Sequence, residues 1–337
     1  MLTLARKTAL ACGVALVATP ALAEEVNLYS YRQPELIQPL ADAFTKETGI
    51  TVNIAFLDKG MVERLKAEGA RSPADLVLTV DIARLAAVVD AGVTEAITDP
   101  TLAAKVPAAY HDPDGQWWAL TTRARIVYAS KDRVADGEVT TYEDLADPKW
   151  KGRICTRSGM HPYNVALTAA YLYHHGEEAT KTWLEALKSN LARKPQGNDR
   201  AQVKAIWAGE CDISLGNTYY MGEMLEDPEQ TEWANSVRIV FPTFEGGGTH
   251  VNISGIALTK ASPNRENAIK FMDFLVSPEA QGIYAAANHE YPIAEGSEPS
   301  ELVKGWGSFT PDDVNLAELA KLRPAALKLM EQVDFDG

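Results

Sequence analysis

Cysteine is scarce in this chain, three residues in 337. Basic side chains are outnumbered, 32 Lys and Arg against 46 Asp and Glu, for a formal charge of −14. Nucleic acid and anionic membranes both demand basic surface, so neither is expected as a partner. Long apolar runs are missing: the most apolar stretch, 8–19, falls short of the roughly 18 to 20 residues that span a bilayer, so no membrane insertion is expected. Also missing are a Gly-x-Ser-x-Gly elbow, a phosphate-cradling loop ending in Lys-Ser/Thr, and His-Glu-x-x-His, which leaves catalysis without a recognisable motif. No close His, Cys and carboxylate cluster of the kind a zinc protein needs is visible in the sequence.

What is present starts with Arg6 and Lys7, the apolar run 8–19, and Ala21-Leu22-Ala23. That layout is a secretory signal peptide over 1–23, which removes Cys12 with it. The mature chain has the size expected of about two domains. Its acidity predicts a soluble monomer. Cys155 and Cys211 remain, and an even count in an oxidising compartment favours a bridge over two buried thiols.

Short β-branched runs then alternate with amphipathic helices. The pattern predicts strands at 26–29, 51–57 and 75–79, with helices over 36–44, 61–70 and 82–91. A second series has strands at 126–129, 153–156, 213–216 and 237–241, with helices over 162–175 and 177–191. Strand–helix–strand order implies a mostly parallel α/β sheet with right-handed crossovers. The strand-like segment 252–258 is expected to return to the first sheet. Segments 121–127 and 251–256 would then join two lobes as a hinge. Lobe 1 is expected over 24–121 plus 254–290 and lobe 2 over 122–253. The C-terminal 291–337 is expected to pack on both.

Ligands of open α/β sheets gather beyond the carboxyl ends of strands. After 213–216 comes Asn217-Thr218-Tyr219-Tyr220, where Asn217 or Thr218 can cap a helix whose first turn carries both tyrosines. After 153–156, Pro162 fits a first helical position and Tyr163 follows. Three phenols therefore lie at two helix starts, where partial positive charge favours a phenolate. An isolated Tyr-Tyr pair is more often packing or ligand stacking. Ionising three phenols at neutral pH costs about 12 kcal/mol, which a hard, strongly Lewis-acidic cation such as ferric iron offsets. Among the histidines, His161 is the one near this cluster, and ordinary loop solvation is its expected role. His174 and His175 are expected at a helix end, and the acidic run Glu223, Glu226 and Asp227 on solvated helix surface.

Several stretches resemble the ferric-ion-binding periplasmic proteins of bacterial ABC importers. They are Val26-Asn27-Leu28-Tyr29-Ser30-Tyr31-Arg32-Gln33-Pro34-Glu35, Leu120-Thr121-Thr122-Arg123-Ala124-Arg125, Lys194-Pro195-Gln196-Gly197 and Gly216-Asn217-Thr218-Tyr219-Tyr220, with Asn252-Ile253-Ser254-Gly255 and Asn288-His289-Glu290-Tyr291-Pro292. The resemblance covers nearly the whole mature chain and implies a two-lobed, type II periplasmic solute-binding fold, two mixed or parallel sheets joined by hinge strands. It implies Fe(3+) as cargo, Tyr219 and Tyr220 as paired ligands, Tyr163 as the third ligand of a tyrosine-only branch, and Arg123 beside the metal and its anion. Other branches use a histidine and a glutamate where this chain has Gln33 and Val80, and some relatives a tyrosine where it has Pro34. The first lobe therefore offers no strong ligand, and carbonate or bicarbonate, or water, is expected to fill the shell. Arg123 and Arg32 would balance the anion's charge, and Gln33 would donate a hydrogen bond to it. The implied partner is an inner-membrane permease. Two rivals keep the export: a binding protein for a small organic or oxyanion solute, and a metal-dependent enzyme.

Overall fold

The computed structural model describes residues 24–337, and the expected signal peptide, 1–23, lies outside the described residues. Strands Glu25–Ser30, Thr51–Phe56 and Leu76–Thr79 lie parallel, with Glu25–Ser30 in the middle. Parallel neighbours require crossovers, here the helices Pro34–Thr48 and Met61–Glu68. The first helix buries Ile37, Leu40, Ala41 and Phe44 and ends at Gly49, whose φ of 77° is a left-handed geometry that glycine adopts without steric cost.

Strand Val251–Thr259 runs antiparallel beside Leu76–Thr79, and next to it lies Trp118–Ser130, buried along all 13 residues. The first part of this long strand pairs with Val251–Thr259. From Arg125 onward it pairs instead with Ile213–Asn217 and Val237–Val240. Ile154–Cys155 pairs parallel to Ile213–Asn217, and Tyr291–Pro292 pairs antiparallel to Thr121 and Thr122. A single strand thus serves both halves of a mixed sheet, and segments 121–127 and 251–256 both lie in strands that run through its middle.

The periodicity predicts a strand only over 126–129, whereas the observed one begins at Trp118. Thr121, Thr122, Arg123 and Arg125 interrupt the apolar pattern, yet they are buried because carboxylates inside the protein neutralise the arginines. The span Pro162–Ser189 holds the two helices expected over 162–175 and 177–191, separated by a kink at Gly176, whose φ of 78° and ψ of 175° are non-helical. Along it packs the C-terminal helix Leu316–Gln332, which also touches Ile82–Asp90 in the other half. Cys155 and Cys211 are bonded, 5.9 Å apart at Cα. Among the described residues, no helix is long and apolar enough to cross a membrane.

Candidate metal centre

Ile154–Cys155 and Ile213–Asn217 run parallel, so both deliver their following segments to the same edge of the sheet. After the first, His161 precedes Pro162 and its Nδ1 accepts the Tyr163 N–H at 3.2 Å, capping the long helix. That cap needs an unprotonated ring. Burial, aided by the Arg157 charge, lowers the His161 pKa to about 4. His161 is thus a half-buried cap rather than a solvated loop residue. After the second strand the expected side-chain cap is absent. Thr218 is already helical, and its hydroxyl accepts the Ala124 N–H at 3.3 Å, while Asn217 Oδ1 accepts from Arg125. Both contacts tie this helix start, Tyr219–Glu226, to the long strand.

The two starts bring the tyrosines together. The hydroxyls of Tyr163 and Tyr219 lie 3.1 Å apart, and the rings of Tyr219 and Tyr220 lie 4.3 Å apart. Burial pushes Tyr219 well above the ordinary phenol pKa, with the charge of Tyr163 adding to it and Arg123 opposing it. Burial also raises Tyr220, against the influence of Arg157. The partial charge of the helix start therefore does not ionise these two phenols. Among the described residues, no group of three or more His, Cys, Asp or Glu is placed to hold a metal ion. The phenol oxygens are the clustered hard donors.

Arg123 sits 5.8 Å from the Tyr219 ring centroid. Its Nη2 donates to Glu290 Oε1 at 2.7 Å and to Ser254 Oγ at 2.8 Å, and Arg32 Nη2 reaches the same two atoms at 2.9 and 2.5 Å. Strand register explains the convergence: Thr121 faces Ser254, and both hydroxyls donate to Glu290 Oε2. Burial alone would raise the Glu290 pKa, but Arg123 and Arg32 outweigh it and hold the carboxyl at about 2. Nε and Nη1 of Arg123 and Nε of Arg32 are buried without a partner. Unpaired buried donors are costly, so this cluster suits a further acceptor.

Two residues along the same strand, Arg125 makes a second cluster. Asp199, fully buried, accepts from Arg125 Nη1 at 2.6 Å and from Arg157 Nη1 at 3.2 Å. Arg157 and Arg125 lie 5.3 and 5.9 Å from the Tyr163 ring centroid.

The structure thus gathers Tyr163, Tyr219, Tyr220, Arg123 and Arg32 around one edge. Gln33 is exposed at the start of helix Pro34–Thr48 and makes no side-chain cap there. Sequence reasoning missed Glu290, Ser254, Asp199, Arg125 and Arg157. A signal existed: arginines two apart in a run otherwise suited to a buried strand require buried carboxylates. His174 and His175 end the helix that begins at Pro162, just before the kink at Gly176, as expected, and pair with Asp312 and Glu143. In the acidic run Glu226 is exposed, as expected, and Glu223 and Asp227 are half-buried. Glu226 pairs with His289 at 3.2 Å, and the His289 ring packs so closely on Gly222 that a Cβ there would lie 2.3 Å from it.

Comparison with known proteins agrees with this architecture. Residues 30–282 match the family model described as bacterial extracellular solute-binding protein. Iron uptake protein A1 of Synechocystis sp. is 45% identical over 320 residues, covering 94% of this chain and 89% of that protein. The ferric iron-binding protein A of Mannheimia haemolytica, solved in an open conformation, is 53% identical with a TM-score of 0.91, over 94% of this chain and all (100%) of that one. A Trichodesmium protein solved with iron and citrate is 43% identical with a TM-score of 0.89, over 92% and 99%. With its α/β periplasmic-binding fold and a family match spanning most of its length, the chain belongs to the bacterial extracellular solute-binding proteins.

Proposed function

We propose that this protein captures ferric iron in the periplasm through Tyr163, Tyr219 and Tyr220 and delivers it to the membrane permease of an ABC importer. Iron is cargo in this reading, and no reaction is catalysed. The observation that carries it is the meeting of phenols from two separate helix starts, with two hydroxyls 3.1 Å apart. The raised phenols of Tyr219 and Tyr220 gain from binding only a cation strong enough to displace their protons, and three phenolates neutralise a trivalent ion. Capture then weakens in acid, because each ligand must give up a proton. Relatives named for iron uptake and ferric iron binding support the same cargo.

The remaining coordination positions go to a small anion, carbonate or bicarbonate, held by the unpaired Arg123 and Arg32 donors. Formal charge supports that size of anion. Arg32 and Arg123 around Glu290 carry a net single positive charge, and so do Arg125 and Arg157 around Asp199. Beside a neutral iron–trisphenolate centre, the two together balance a dianion such as carbonate. Gln33 becomes a donor to that anion only when lobe 1 (24–121 with 254–290) closes on lobe 2 (122–253) about the two long strands, with 291–337 packed on both.

The test is optical titration of the mature protein with ferric nitrilotriacetate, with and without carbonate. A visible phenolate-to-iron charge-transfer band at one iron per protein is expected. The Tyr219→Phe, Tyr220→Phe double variant should lose both the band and tight binding. Retention of both in that variant, or wild-type protein that takes up no iron, would overturn the proposal.

A further inference from the structure

We infer that Asp199 is the positioning residue that holds the two tyrosine-bearing helix starts in one register, acting through Arg125 and Arg157. The inference rests on the ferric reading above and assigns a duty to residues outside the proposed iron ligands and anion donors.

Tyr163 and Tyr219 are 56 residues apart in sequence, yet their hydroxyls meet at 3.1 Å. The ladder between their parent strands is only two residue pairs long, Ile154 with Ile213 and Cys155 with Ser214, and it stops well short of either tyrosine. Something beyond the ladder must fix the phenol oxygens, because a coordination shell tolerates errors of only about 0.5 Å.

Asp199 supplies the link. Its Oδ2 accepts the backbone N–H of Asn217 at 3.1 Å, two residues ahead of Tyr219, and also Arg125 Nη1 at 2.6 Å. The other guanidinium nitrogen of Arg125, Nη2, donates to Asn164 Oδ1 at 2.7 Å, and Asn164 is the residue after Tyr163. Asn164 Nδ2 in turn donates to Thr156 Oγ1 and to the carbonyls of Arg157 and Ser158, each at 3.1 Å, which shapes the loop entering that helix. Asp199 Oδ1 accepts from Arg157 on the same loop. One carboxylate thus ties the approach to Tyr219 and Tyr220 to the approach to Tyr163, with both guanidiniums beside the Tyr163 ring. Its negative charge is essential, since an amide in its place would leave both guanidiniums without a counter-charge and turn its N–H groups toward one of them.

The test compares wild type, Asp199→Asn, Arg157→Gln, Arg157→Lys, Tyr163→Phe and the Asp199→Asn, Tyr163→Phe double variant. Three quantities are measured: ferric affinity by chelator competition in carbonate buffer, the charge-transfer band, and the thermal midpoint without iron. Asp199→Asn should weaken iron binding about 10- to 100-fold and shift or weaken the band. In the Tyr163→Phe background the same change should cost clearly less, because its route to that ligand is gone. Arg157→Gln should give a smaller loss at an unchanged thermal midpoint, partly restored by Arg157→Lys. Wild-type affinity and band in Asp199→Asn would overturn the inference, as would independent, multiplying losses in the double variant. Should Asp199→Asn not fold, Arg157→Gln decides: a shifted band supports the inference and an unchanged one overturns it. Failure of the ferric reading shows in the wild type, whereas failure of this inference shows only in variants of a wild type that binds normally.

Discussion

Two clusters of the same make-up, a buried carboxylate between two arginines, stand at neighbouring positions of one strand and differ in what they leave open. Around Glu290, Arg123 keeps two buried donors free and Arg32 one. Around Asp199, Arg125 keeps only Nε free, and its remaining donors are spent on Asp199, Asn217 and Asn164. The first cluster gathers the loop after the first strand, both long strands and the segment after helix Pro278–Asn288. The second stays within the half that carries the tyrosines. Identical residue types thus leave several donors open in one place and only one in another, the difference on which the proposed anion receptor and the proposed brace both rest.

The sharpest way to break the comparison is to remove the charge of Glu290. Glu290→Gln leaves two buried guanidiniums facing a neutral amide and should cost about 3–5 kcal/mol of stability, measured by denaturant unfolding. The carboxyl is depressed to about 2 from an ordinary 4.5, so its stabilisation is complete above pH 4.5 and is lost as pH falls toward 2. A wild type whose stability stays flat across that window would contradict the pairing. Next in size is the disulfide. Cys155 and Cys211 lie at the foot of the two strands that feed the tyrosines, with the same spacing of 56 residues as Tyr163 and Tyr219. Reduction should cost up to about 4 kcal/mol through the freed loop. It should leave the carbonate dependence of iron binding intact, which a combined unfolding and titration experiment can show. Smallest in energy but most specific is Arg123→Gln, expected to weaken iron binding about tenfold in carbonate buffer and to abolish the difference between buffers with and without carbonate. Persistence of that difference would move the anion away from the Glu290 cluster.

Much of this molecule was legible in its residues. The spacing of Leu36, Ile37, Leu40 and Phe44 announces the first helix, and Gly49 its end. Pro162 marks the helix start that carries Tyr163, and the odd Cys12 set apart in the apolar opening points to the pairing of Cys155 with Cys211. Less legible was the strand Trp118–Ser130, because its arginines imitate a surface pattern. The helix cap at Tyr219 was misassigned for a related reason: the Asn217 and Thr218 side chains are claimed by the long strand instead of by the helix they precede.

By itself the sequence determined the alternation of strands and helices and the half of the chain that holds the phenols, and it led to the hard-cation chemistry proposed for them. All of these follow from local periodicity, capping preference and the acidity of one side chain. Tertiary structure alone decided that Glu290 would meet Arg123 across 167 residues and that Asp199 would meet Arg125 across 74. Ion pairs of that kind carry no periodic signature, since their partners are chosen by sheet register and burial only after the chain has folded.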